Sequence, residues 1–234
     1  MSLGEEGNRP CIKNFPDDLP LLLRTFPELS VGAIPSVFEK TQLGGFVVFK
    51  LSKKIPYQKF TEGVLVMTVM DAIRNRHSVR SYLPVPVEKE KLQQILEAGR
   101  LAPSARNTQA WKFVMVTDPE TIKALGPACC GQSFIEKAPA FLAVCTTEPS
   151  TMACGQPART IDGAIAMSFM ILEAEELGLG TCWIGAFDNE EVKKVLGIPD
   201  SYDVVAVTPI GYPEKDTPAR PRKGADEVIC WEKF

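Results

Sequence analysis

Histidine is nearly missing from this sequence: 234 residues contain one, His77. That excludes a two-histidine metal site within one chain, and with it the multi-histidine zinc and non-haem iron sets. A Ser-His-acid triad would have to use His77 and no other. Cysteine is present but not in pairs. Cys11, Cys129, Cys130, Cys145, Cys154, Cys182 and Cys230 make an odd number, no Cys-x-x-Cys occurs, and several stand in apolar runs. They read as reduced thiols of a cytoplasmic protein, not as a secreted disulfide framework. The vicinal pair Cys129-Cys130 has the wrong spacing for zinc, and its role stays open. Basic charge is not in excess: 26 Lys and Arg face 29 Asp and Glu, a net charge of -3. General nucleic-acid binding needs the opposite balance. No apolar run reaches the roughly 18 residues of a membrane span. Glu5 and Glu6 stand where a signal peptide would carry Lys or Arg.

What is present is an ordinary globular composition, 45% hydrophobic and 24% charged. A chain of this length buries a core without help from disulfides or metals. The sequence changes character near Met67. Residues 1–66 carry scattered prolines (Pro10, Pro16, Pro20, Pro27, Pro35, Pro56) and one convincing strand candidate, Phe46–Leu51. They form an extension of uncertain status: a start assigned too far upstream, or a segment that wraps or lids the rest. Met1-Ser2-Leu3 reads as an expression leader.

From Met67 onward helices and strands alternate, an α/β arrangement with one sheet. Short helices are expected over 69–77 and after Pro86, the second ending before Pro103. Strands are expected over 111–117, 140–145, 181–185, 204–210 and 227–231. Asp118-Pro119 and Asp188 open helices as caps. The stretch 160–177 is apolar on all sides, which places a helix at the centre or at a subunit interface.

Four segments carry residues suited to chemistry. Arg74 to Ser81 packs three arginines, His77 and two serines into eight residues. Guanidinium forks match phosphate oxygens, although a solvated basic helix end has the same composition. Arg220-Pro221-Arg222-Lys223 is either a second phosphate arm or a basic tail. The turn Pro103-Ser104-Ala105-Arg106-Asn107-Thr108-Gln109 offers amides and hydroxyls to a heterocycle, or is an Asx turn. Gly178-Leu179-Gly180-Thr181-Cys182-Trp183-Ile184-Gly185 lacks the third glycine of a dinucleotide fingerprint and runs from helix to strand. Gly185 ends that strand, where a missing side chain lets a ligand approach the backbone.

Taken in order, Arg76-His77-Ser78-x-Arg80, Pro103-Ser104-x-x-Asn107-x-Gln109-x-Trp111, Gly178-x-Gly180-Thr181-x-Trp183-Ile184-Gly185 and Arg220-x-Arg222 resemble the nitroreductase family. The resemblance covers residues 67–234. It implies a three-layer α+β fold: a central mixed, mostly antiparallel sheet flanked by helices. It also implies an obligate homodimer with exchanged C-terminal segments and active sites at the interface. FMN would be the cofactor and NADH or NADPH the electron donor. Reduction and reoxidation would alternate in a ping-pong manner, with hydride passing through flavin N5 to a nitroaromatic, quinone or similar small acceptor. No side chain would act as a catalytic residue. Arg76, His77, Ser78, Arg80, Arg220 and Arg222 correspond to the phosphate and ribityl contacts. Pro103, Ser104 and Asn107 correspond to the flavin-ring loop, and Ile184 and Gly185 to the backbone near N5. The partners would be a second copy and a small molecule, with no nucleic acid and no membrane. Two other readings share the fold: a flavin-fragmenting or dehalogenating enzyme, and a non-catalytic FMN-binding protein. Ala110 stands where many members have proline. Arg106 stands where a small or polar residue is usual, and reads as a surface arginine or a contact for an anionic substrate.

Overall fold

The computed structural model describes the backbone of four short strands between residues 38 and 66, and residues 67–234 except 148, 216 and 218. The chain divides into two units, Met1–Pro56 and Tyr57–Phe234. In the first, β1 (Phe38–Leu43) pairs antiparallel with β2 (Phe46–Leu51). The second strand matches the expectation. Its partner was missed because Phe-Glu-Lys-Thr-Gln-Leu has little apolar content. The Gly44-Gly45 dipeptide between the two runs is the hairpin signal that marks it.

The second unit opens with an antiparallel pair, β3 (Lys59–Thr61) and β4 (Val64–Val66). Helix α1 (Val69–Asn75) starts on a capping box. Asp71 N–H donates to Thr68 Oγ1 at 3.2 Å, and Thr68 N–H donates to Asp71 Oδ2 at 3.0 Å. Helix α2 (Lys89–Arg100) follows and puts Leu92, Ile95 and Gly99 inside. Strands β5 (Trp111–Val116), β6 (Ala140–Thr146), β7 (Gly180–Thr181) and β8 (Asp203–Gly211) form one sheet in the order β5-β6-β8-β7, every pair antiparallel. A lone parallel bridge, Ser78 to Thr181, makes it mixed. Helix α3 (Pro119–Ala128) is capped by Asp118, which accepts from Thr121 N–H at 2.9 Å. Asp188 caps α5 (Asn189–Leu196) in the same way at 3.0 Å, and Gly197 stops it at φ 63°.

Alternation along β6 divides the core. Ala140, Leu142 and Val144 face α2 and the long helix α4 (Ala158–Glu176), against Ile95, Met167 and Met170. Phe141, Ala143 and Cys145 face α3 and α5, against Ile122, Leu125 and Val192. The result is three layers, helices on both faces of a mostly antiparallel sheet, as the family resemblance implied. Two expectations need correction. The strand expected over 181–185 is only Gly180–Thr181, with one further bridge from Ile184 to Val207. The strand expected over 227–231 is replaced by a short exposed helix, α6 (Ala225–Val228). Its start carries Asp226 and Glu227, and Glu227 Oε1 accepts from Gly224 N–H at 2.8 Å, a helix-opening pattern that outweighs the β-prone Val228 and Ile229.

Candidate active site

The loop after α1 runs beside the short strand β7. Val79 N–H donates to Thr181 O at 2.9 Å, and Ser78 bridges to Thr181. This close approach needs Gly180: a Cβ there would stand 2.6 Å from Val79 Cγ2 and 2.8 Å from Val79 Cβ. Val79 is buried, and Tyr82 O–H donates to its carbonyl at 2.7 Å. Burial drives the Tyr82 phenol far above its ordinary pKa, so it remains a proton donor to Val79 O. The strip is therefore fixed at its apolar positions. Its polar positions are free to face a ligand.

They do so in a cleft of about 210 Å³ lined by Arg76, His77, Ser78, Arg80, Thr217, Arg220 and Arg222. Two arginine groups far apart in sequence thus meet at one place. Arg80 Nη1 donates to Ser78 O at 3.4 Å. His77 Nδ1 lies 3.1 Å from Asn75 O. Its Nε2 is buried with no hydrogen-bond partner among the described residues.

Two groups close to this cleft gave no signal in the sequence. Burial raises the Glu175 carboxyl above the usual carboxylate range, and the charges of His77 and Arg76 oppose the rise. Burial likewise raises the Cys182 thiol, opposed by Arg80, by a hydrogen bond with Ser78 and by Arg76. Glu175 was hidden in the polar end of a helix, and Cys182 in an apolar strand pattern. Thr217 was missed because a lone threonine in a loop carries no pattern.

The other expected residues lie outside the residues that line this cleft. Pro103 and Asn107 are exposed and Ser104 is half-buried. Ser104 organises the turn: Asn107 N–H donates to its carbonyl at 2.9 Å, and Gln109 N–H to its Oγ at 3.0 Å. Arg106, Asn107 and Gln109 have φ of 53°, 56° and 50°, the left-handed region that side chains disfavour. The Arg106 side chain is exposed. The Ile184 side chain is buried in the core, and its N–H donates to Val207 O at 2.9 Å. Its carbonyl accepts from Val207 N–H in return at 3.5 Å, so both of its backbone polar groups are engaged in this bridge. Gly185 is exposed, and a Cβ there would meet nothing within 4 Å, so the protein itself does not demand glycine at that point. Cys129 is buried and its thiol is pushed up to about 11 by burial, while Cys130 is exposed. The described residues hold no group of three metal-ligating side chains.

The donor set suits a phosphate monoester. Such a group carries about -1.5 to -2 charge at neutral pH, and four guanidinium groups with a serine hydroxyl can neutralise and hydrogen-bond it.

Comparison with known proteins agrees with this chemistry. The model of the nitroreductase family matches residues 73–157 and 130–212. A protein of Thermus thermophilus named NADH dehydrogenase is 30% identical over 198 residues, covering 71% of this chain and 97% of that protein. An FMN reductase [NAD(P)H] of Bacillus subtilis is 30% identical over 71% of this chain and 74% of its own length. Among solved structures, the NADPH:FMN oxidoreductase of Vibrio harveyi complexed with NAD+ superposes with a TM-score of 0.65 at 26% identity, covering 71% of this chain and 77% of that one.

Proposed function

This chain belongs to the nitroreductase family, and from that premise we propose that it is an NAD(P)H-dependent FMN oxidoreductase acting on a nitroaromatic, a quinone or a similar small acceptor. The observation that carries the reading is the meeting of Arg76, Arg80, Arg220 and Arg222 with Ser78 around one cleft. When bound, the flavin would take reducing equivalents from the nicotinamide and pass them to the acceptor in alternating half-reactions. The chain's own residues would bind and orient it. The arginines neutralise the phosphate, and the Ser78 hydroxyl donates to it. Asn107 offers its amide to the ring. Gly185, with open space where a Cβ would be, lets a planar ring lie against the backbone. Pro103 and Ser104 shape the ring loop. His77 supports the phosphate side through its place between Asn75 and the cleft.

We also propose a homodimer with exchanged C-terminal segments. One end of the sheet, β7, has Ser78 alongside it, whereas β5 at the other end pairs with nothing but β6 among the described strands. A groove of about 430 Å³ runs by that free edge, its wall mixing Leu96, Trp111 and Phe113 with the charged Glu97, Arg100 and Lys112. Exposed Ile229, Trp231 and Phe234 at the C-terminus offer the apolar side chains to fill it in a second copy. An exposed edge strand calls for such a cover. Residues 67–234 would form the FMN domain and 1–66 an extension, of which residues 57–66 fall in the second unit. None of the described helices is long and apolar enough to cross a membrane. The free cysteines support a reducing compartment, the cytoplasm.

The test is the Arg76→Ala, Arg222→Ala double variant. Two charge-assisted bonds are worth about 3–6 kcal/mol together, so FMN affinity should fall by at least about a hundredfold while riboflavin affinity changes little. Stoichiometric FMN retained by the double variant would remove the phosphate site.

A further inference from the structure

Asp162 is a buried carboxylate outside the arginine cleft. It lies in the second turn of α4, 4% exposed. Both of its oxygens accept from a single backbone donor, Ala105 N–H, at 3.0 Å to Oδ1 and 3.1 Å to Oδ2. That donor belongs to the turn that carries Asn107.

The turn is an unfavourable piece of backbone. Three of its residues, none of them glycine, occupy the left-handed region. Such conformations persist only where the surroundings over-determine them. The bonds from Asn107 N–H to Ser104 O, from Thr108 N–H to Ala105 O and from Gln109 N–H to Ser104 Oγ fix the turn's internal shape. They do not fix where it stands. The bond from Ala105 to Asp162 is what crosses to the body of the fold.

The helix that carries Asp162 is itself held on the sheet. Arg159, one turn before, pairs with Asp203 at the start of β8. Gly163, the next residue, packs so closely on β8 that a Cβ would stand 3.0 Å from the Val205 side chain. A chain of contacts therefore runs from β8 through α4 to the turn. A carboxylate suits the last link better than an amide. It presents two charged acceptors, so either oxygen receives the N–H, whereas an asparagine offers one neutral oxygen and a weaker bond.

We propose that Asp162 is a positioning residue for the cofactor. Its carboxylate holds the 104–109 turn at the height at which Asn107 meets the flavin ring. The inference rests on the flavin reading above, and it assigns the ring side of the site to a residue that touches no ligand.

The experiment compares wild type with Asp162→Asn, which keeps the shape, and Asp162→Ala. FMN and riboflavin are titrated separately, and the visible circular dichroism of bound FMN is recorded. Loss of a hydrogen bond to a charged group should weaken both flavins by the same factor, about tenfold, because the phosphate contacts are intact. The dichroism of the bound ring should change with it. Unchanged flavin affinity and dichroism in folded Asp162→Ala would overturn the positioning role, even if its thermal midpoint falls, and Asp162→Leu, which fills the space without an acceptor, decides in the same way if Asp162→Ala does not fold. Wild-type protein that takes up no FMN would instead overturn the flavin reading, and the positioning role with it.

Discussion

Two glycines in the same segment, Gly180 and Gly185, are glycine for different reasons. At Gly180 a methyl group would stand 2.6 to 2.9 Å from three atoms of Val79. Val79 cannot retreat, since it is buried and Tyr82 bonds to its carbonyl. Gly180→Ala should therefore push the 78–80 strip off the sheet and cost about 1–3 kcal/mol of stability. FMN binding should weaken too, because Ser78 and Arg80 move with the strip. At Gly185 the same change meets nothing within 4 Å. Gly185→Ala should leave stability within about 0.5 kcal/mol and weaken flavin binding only. Urea unfolding and flavin titration of both variants check this contrast. Equal stability losses would mean that the two positions are not sterically different.

At the scale of elements, caps and periodicity carried most of the fold. Asp118, Asp188 and Gly197 mark helix ends by local chemistry, so they are readable without tertiary contacts. The β6 run is apolar on both faces because both faces are covered. What the sequence hid is what depends on partners. The segment 181–185 has strand composition, but only Gly180–Thr181 and a bridge at Ile184 find pairing. The segment 225–231 mixes a helix start with β-prone residues, and local capping decides it. The same division applies to the site. Arginines and glycines at recognisable spacings were legible, and so was their order. Glu175, Cys182 and Asp162 were not, because each acts through a fold contact: near the arginines, beside Ser78 and under Ala105. The C-terminal element carries its own prediction. Truncation before Ala225 removes Trp231 and Phe234 and leaves the β5 edge without its proposed cover. It should turn a dimer into monomers or aggregates in sedimentation. A truncated chain that stays dimeric would contradict the exchange.

At the scale of the whole molecule, charge and its placement point the same way. The chain is acidic overall, at -3, yet four arginines converge on one cleft. The lone histidine stands at that cleft as well, its Nδ1 near the Asn75 carbonyl. A cleft that gathers positive charge against the chain's own average suits an anionic cofactor that carries the chemistry itself. The most direct measurement is an anaerobic titration of the purified, FMN-loaded protein with NADH and with NADPH, followed at the flavin band near 450 nm. At least one donor should bleach the band stoichiometrically, and a quinone or nitroaromatic should restore it. A band that persists with both donors would contradict the oxidoreductase reading and leave a protein that only binds flavin.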